Sequence, residues 1–188
     1  MNSQHNEKLL FVMMAGLPGS GKTTLAAKLG KATGWPVVSK DLYKSSLIRC
    51  QTGMTDEETG RVAYELLFYQ AEEFIVRQRL SIIFDTSAHF PFILEHATHI
   101  AGAADAEMKI IHCIVPAHIR LERLNERAAA NLHHPFMLAM TTTTIEDESE
   151  HFRHLPVDRL SIDTRKPLEI CLTRCLQYVL QTESILGK

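Results

Sequence analysis

The sequence predicts an α/β fold: a five-stranded parallel sheet, doubly wound with helices into three layers. Three observations carry that expectation. Apolar runs alternate with amphipathic stretches along the whole chain. The apolar runs are continuous rather than alternating, as strands buried on both faces are. A glycine-rich turn joins the first run directly to a helical pattern. Strands that alternate with helices build a parallel sheet covered on both sides. Ligands then bind beyond the carboxyl ends of its strands.

The elements follow in order. Leu9–Ala15 is the first buried strand, and after the glycine-rich turn Thr23–Gly30 reads as a helix. Trp35–Ser39 is a short second strand and Asp41–Cys50 a helix. Thr55 followed by Glu58 forms a capping box for a long helix ending near Arg79. Leu80–Asp85 is the third strand, Pro91–Ala104 a helix and Glu107–Val115 the fourth strand. Pro116 opens a helix running to about Asn131, since proline suits a first helical turn. His133–His154 is a polar, threonine-rich and acidic connection; Arg159–Asp163 is a fifth strand and Pro167–Thr182 a last amphipathic helix.

At 188 residues the chain suits one domain, residues 1–188, with 131–154 as a lid or mobile connection. A 45% hydrophobic content supports a sizeable core. The formal net charge of -2 disfavours a globally basic nucleic-acid binder, though not a local basic groove. No apolar run approaches the ~20 residues of a membrane span. Met1 to Lys8 lacks the basic start and cleavage site of a secretory signal. Cys50, Cys113, Cys171 and Cys175 show no CxxC spacing and read as reduced thiols. A cytoplasmic protein is the expectation.

Gly16-Leu17-Pro18-Gly19-Ser20-Gly21-Lys22-Thr23 fits G-x-x-x-x-G-K-[ST] at every fixed position, after a buried strand and before a helix. Its glycines let the backbone turn sharply and aim N–H groups at phosphate oxygens, and the helix terminus adds a favourable dipole. Lys22 is expected to reach the β- and γ-phosphates and Thr23 to ligate Mg²⁺. The nucleotide-binding set is Gly16, Pro18, Gly19, Ser20, Gly21, Lys22, Thr23 and Thr24. The guanine-reading N-K-x-D and the switch D-x-x-G of a GTPase do not occur. A ring-forming ATPase with a helical lid domain needs a longer chain. A compact kinase or a small ATPase remains.

Asp41 follows the second strand, where a kinase wants a base for an acceptor hydroxyl; an N-cap of the next helix is the competing role. Asp85 ends the third strand and suits a Mg²⁺ partner, or a turn aspartate. Arg123 and Arg127 stand at i and i+4 on one helix face. They suit base stacking and phosphate clamping, against salt bridges to Glu122 and Glu126. His89 lies just beyond the third strand and could face the acceptor. The other histidines, among them His96, His99, His133, His134, His151 and His154, lack zinc-site spacing and read mostly as surface residues. Glu146–Glu150 reads as a solvated loop. Tyr64, Phe68, Tyr69 and Phe74 read as core, as do Cys171 and Cys175.

GLPGSGKTT, VSKDLYKSSL, IIFDTS and RLERLNER together resemble the P-loop kinase group. Within it the chain is most similar to the polynucleotide-kinase-like and zeta-toxin-like AAA-type ATP-binding family, in the adenylate-kinase-like fold group. The resemblance spans most of residues 9–170. It implies a kinase using ATP and Mg²⁺, with Asp41 as general base and Asp85 near Mg²⁺ and substrate. It gives Arg123 to adenine or phosphate contact, and Arg127 to the phosphates and lid. Lys44 stands where a substrate-contacting arginine is usual, and Asp163–Pro167 resembles the loop beside the adenine. The expected acceptor is a hydroxyl on a small molecule or nucleoside/nucleotide-type compound. Alternatives are a polynucleotide 5′-hydroxyl kinase, a nucleotide-sugar kinase and an ATP-binding module without an acceptor.

Overall fold

The computed structural model describes residues 8–130 and 152–180. Five strands form one parallel sheet: β1 (Leu10–Ala15), β2 (Val37–Ser39), β3 (Ile82–Asp85), β4 (Glu107–Ile114) and β5 (Leu160–Asp163), in the order β2-β3-β1-β4-β5. The central β1 is buried throughout, which is why its sequence is an unbroken apolar run. Its side chains alternate between two cores. Phe11, Met13 and Ala15 join α3 (Asp56–Glu72) and α4 (Pro91–Ala103) through Leu67, Ala71, Ile93 and Ala97. Leu10, Val12 and Met14 join α1 (Lys22–Thr33) and α6 (Leu168–Leu180) through Leu25, Leu29, Cys171 and Cys175. Helices α2 (Lys40–Arg49) and α5 (Ala117–Ala130) complete the described elements. The expected three-layer α/β fold is present. Residues 131–151 of the expected lid lie outside the described residues.

Several boundaries differ from expectation, for local reasons. β2 starts at Val37 because Pro36 has no N–H, although its carbonyl still accepts from Ile83 at 2.9 Å. β3 loses Leu80 and Ser81. The Leu80 N–H donates to Phe74 O, and the Ser81 hydroxyl accepts from the Leu10 N–H at 3.0 Å. The capping box is formed: Glu58 N–H donates to Thr55 Oγ1 at 3.2 Å, and Thr55 N–H donates to Glu58 Oε2 at 2.8 Å. The helix it starts gives way to a π turn at Glu73–Arg77. Tyr69 is 70% exposed, not core, because it stands about 100° around the helix from Phe68. Phe68, Tyr64 and Phe74 do pack on the core. Phe152, inside the expected lid, and Leu155, just after it, are buried in that core.

Candidate functional site

The site lies where β1 ends, between its neighbours β3 and β4. Gly16, Gly19 and Gly21 have φ of +140°, +81° and +84°, so the loop turns through backbone conformations that side chains resist. Close packing adds a second constraint: a Cβ on Gly19 would sit 2.6 Å from the Arg120 carbonyl oxygen of α5. Pro18 is half-buried between them. The Gly16 N–H donates to Ser87 O at 3.1 Å, tying the loop to the end of β3. Gly21 caps α1 without a side chain, so the first-turn N–H groups of α1 have no side-chain competitor for an anion. Lys22 is buried beneath the loop and Thr23 stands beside it.

Across the crevice, Asp85 ends β3. Ser39 Oγ donates to Asp85 Oδ2 at 3.1 Å. Burial raises the Asp85 pKa; the Lys22 charge and a hydrogen bond from Thr23 oppose that rise, while the Asp41 charge adds to it. Lys22, Thr23, Asp41 and Asp85 therefore share one electrostatic neighbourhood. Asp85 Oδ1 is buried with no hydrogen-bond partner. A buried, unpartnered carboxyl oxygen beside a threonine hydroxyl is the hard oxygen donor set that Mg²⁺ takes, and the residues present fit that ion.

The N-cap of α2 is Ser39, not Asp41. The cap alternative for Asp41 is thereby removed: the helix starts one residue earlier than expected, and Asp41 stands in its first turn. Ser39 makes no side-chain cap bond; its hydroxyl is turned towards Asp85 instead. Asp41 is partly exposed, with Lys40 Nζ 3.5 Å away. Burial pulls the Lys40 pKa down, and Asp41 works against that. Lys44 is buried, and its Nζ lies 2.7 Å from Asp56 Oδ1, joining α2 to the start of α3. His89 Nδ1 shares a 2.6 Å hydrogen bond with Ser87 Oγ just beyond β3.

On the other side of the loop a cavity of about 500 Å³ is lined by Gly19, Gly21, Thr24, Arg123, Arg127 and Lys166, among others. That size suits a small ligand. Arg123 and Arg127 thus share this cavity, as their spacing predicts. Arg123 Nη2 donates to Thr164 O at 2.8 Å, and Nη1 donates to Thr164 Oγ1 at 3.1 Å. Thr164 Oγ1 in turn donates to Ser20 O at 2.8 Å. Cys171 also lines the cavity, but burial raises its thiol pKa and pushes that of Cys175 up to about 12.

The sequence reading missed Ser39 and Lys40, and took Thr164 only as part of the Asp163–Pro167 loop without its bonds to Arg123 and Ser20. Ser39 and Thr164 had a usable signal, since each stands at the carboxyl end of a strand in a parallel sheet. Lys40 had only its place beside Asp41.

A family model described as an AAA domain matches residues 11–154. A cytidylate kinase of Methanocella arvoryzae is 29% identical over 127 residues, covering 68% of each chain. Among solved structures, a Chloroflexus aurantiacus protein provisionally described as a kinase has a TM-score of 0.69 at 23% identity, covering 93% of this chain and 94% of its own. The Mycobacterium tuberculosis APS kinase, solved with AMPPNP and APS, has a TM-score of 0.63 at 14% identity, covering 93% and 99%. A Sinorhizobium meliloti gluconokinase has a TM-score of 0.57 at 19% identity, covering 91% of each chain. These structural likenesses show a common fold.

Proposed function

The chain belongs to the AAA domain family, and on that premise we propose that it is an ATP-dependent kinase that phosphorylates a hydroxyl of a small-molecule or nucleoside/nucleotide-type acceptor. The observation that carries the reading is the pairing of a phosphate-binding loop with two carboxylates, Asp41 and Asp85, across one crevice. A nucleotide-hydrolysing switch needs no second carboxylate for an acceptor. The names of the relatives support the same class: cytidylate kinase for a nucleotide acceptor, gluconokinase and APS kinase for small molecules. A polynucleotide or nucleotide-sugar acceptor is a narrower version of the same reaction.

In this reading the loop amides and Lys22 hold the β- and γ-phosphates. Arg123 and Arg127 serve the nucleotide cavity, with Arg127 reaching the transferred group. Thr23 and Asp85 hold Mg²⁺, which neutralises phosphate charge when bound. Asp41 takes the proton of the acceptor hydroxyl as its oxygen bonds to the γ-phosphorus. The bond from that phosphorus to the bridging oxygen breaks and ADP leaves. Positioning and electrostatics carry the rate, because the protein forms no covalent bond itself. Lys44 and His89 flank the acceptor side.

The test is ADP release with Mg²⁺ and ATP, alone and against nucleosides, nucleoside monophosphates, sugars and 5′-hydroxyl oligonucleotides. An acceptor that raises turnover, with Lys22→Ala inactive, supports a kinase. ATP binding with slow hydrolysis that no acceptor stimulates supports the ATP-binding module instead.

A further inference from the structure

The connection leaving β3 carries a run of rings immediately beyond Asp85. His89 and Phe90 have centroids 3.8 Å apart. Phe90 stacks on Phe92 at 5.8 Å, and Phe92 meets Tyr64 of α3 edge-on at 5.3 Å. Lys40, the neighbour of Asp41, holds its Nζ 5.3 Å from the Tyr64 ring centroid. The Tyr64 hydroxyl lies within the field of the Asp41 carboxylate. The run therefore begins at His89, just beyond the end of β3, passes along the start of α4 and returns to the Lys40–Asp41 end of α2. Two of its rings are left in solvent: Phe90 is 45% exposed and Phe92 38%. Core packing explains Tyr64, but it does not explain two large apolar rings left open in a run that ends at Tyr64, next to Lys40.

We infer that this wall is the acceptor subsite and that it takes an alcohol bearing a planar aromatic or heteroaromatic ring, such as a nucleoside, rather than an aliphatic polyol or sugar acid. The inference rests on the kinase reading above for the direction of the hydroxyl, which points to Asp41. Phenylalanine rings offer a π-face and no hydrogen-bonding atom. A ring stacked on them loses little hydration, whereas a polyol would leave several hydroxyls without partners. Lys40 adds little net charge near the wall, because Asp41 lies 3.5 Å from its Nζ, which suits a neutral ring compound.

The experiment measures binding and turnover separately. Cytidine, adenosine and gluconate are titrated into the wild-type protein with AMPPNP and Mg²⁺, then supplied as acceptors with ATP. Phe90→Ala and Phe92→Ala are run beside it; both positions are exposed, and circular dichroism checks their folding. The expected result is binding of a nucleoside and not of gluconate, weakened about tenfold in each variant with ATP affinity unchanged. Phosphorylation of gluconate with no nucleoside bound overturns the ring assignment and leaves the kinase reading standing. Nucleoside binding that both variants weaken, without phosphorylation of any acceptor, supports the ring subsite and counts against the kinase reading. No nucleoside binding, or binding unchanged in both variants, overturns the ring assignment.

Discussion

Arg123 grips Thr164 at two points, its hydroxyl at 3.1 Å and its carbonyl at 2.8 Å, and the same hydroxyl donates to Ser20 O. Helix α5, the phosphate loop and the turn after β5 are one hydrogen-bonded unit. Thr164→Val keeps the side-chain shape and deletes both hydroxyl bonds. With a net contribution of about 1 kcal/mol for each bond, ATP affinity should fall by up to about 30-fold by titration calorimetry. Thr164→Ser should restore it. Unchanged affinity in Thr164→Val would contradict the role given to this unit.

Two glycines with similar backbone conformation should respond differently to alanine. Gly19 has φ +81° and would press a Cβ to 2.6 Å from the Arg120 carbonyl. Gly34 has φ +76° and meets nothing within 4 Å. Gly34→Ala should cost about 1 kcal/mol, the left-handed backbone penalty alone. Gly19→Ala adds a backbone clash, should cost about 2–4 kcal/mol, and should abolish ATP binding. Urea unfolding and calorimetry measure both effects.

The capping box at the start of α3 gives a test remote from the crevice. Thr55→Ala removes the hydroxyl that accepts from the Glu58 N–H and donates to Glu58 Oε2, and leaves the bond from the Thr55 backbone N–H. The expected cost is about 1 kcal/mol, or a fall of roughly 2–4 °C in Tm for a chain of this size. Calorimetric scans should show that fall with ATP affinity unchanged.

His112 of β4 is buried against Phe152, with ring centroids 4.5 Å apart. Burial and the Arg159 charge lower its pKa from 6.5 to about 4. The folded state thus favours the neutral ring. Its contribution is fully present above pH 6.5 and is lost as pH falls towards 4, where the unfolded chain binds a proton that the folded chain resists. The loss attributable to this residue is about 3 kcal/mol. Urea unfolding of wild type and His112→Leu, from pH 7.5 to 4, should show the wild type losing that much more stability than the variant.

The strands and the phosphate loop were legible because their signals are local. A doubly buried strand must be a continuous apolar run, and G-x-x-x-x-G-K-T brings its own turn chemistry. Asp41 and Asp85 were legible because a parallel sheet presents the carboxyl ends of its strands to the ligand. What stayed hidden depends on distant partners. Ser39 reaches Asp85 across 46 positions, Arg123 reaches Thr164 across 41, and Lys44 meets Asp56 between helices. The strand ends at Leu80 and Ser81 moved because their polar groups found partners outside the ladder. Phe90 and Phe92 carried no local signal of exposure, since aromatic residues at a helix start ordinarily read as core.

The central claim is that Asp41 takes the acceptor proton. The direct test is kcat for an acceptor found by the ADP-release panel, compared between wild type and Asp41→Asn, with ATP affinity measured on both. The account predicts a fall of about 10²–10⁴ in kcat with ATP affinity nearly unchanged. Retention of wild-type kcat in Asp41→Asn would contradict it.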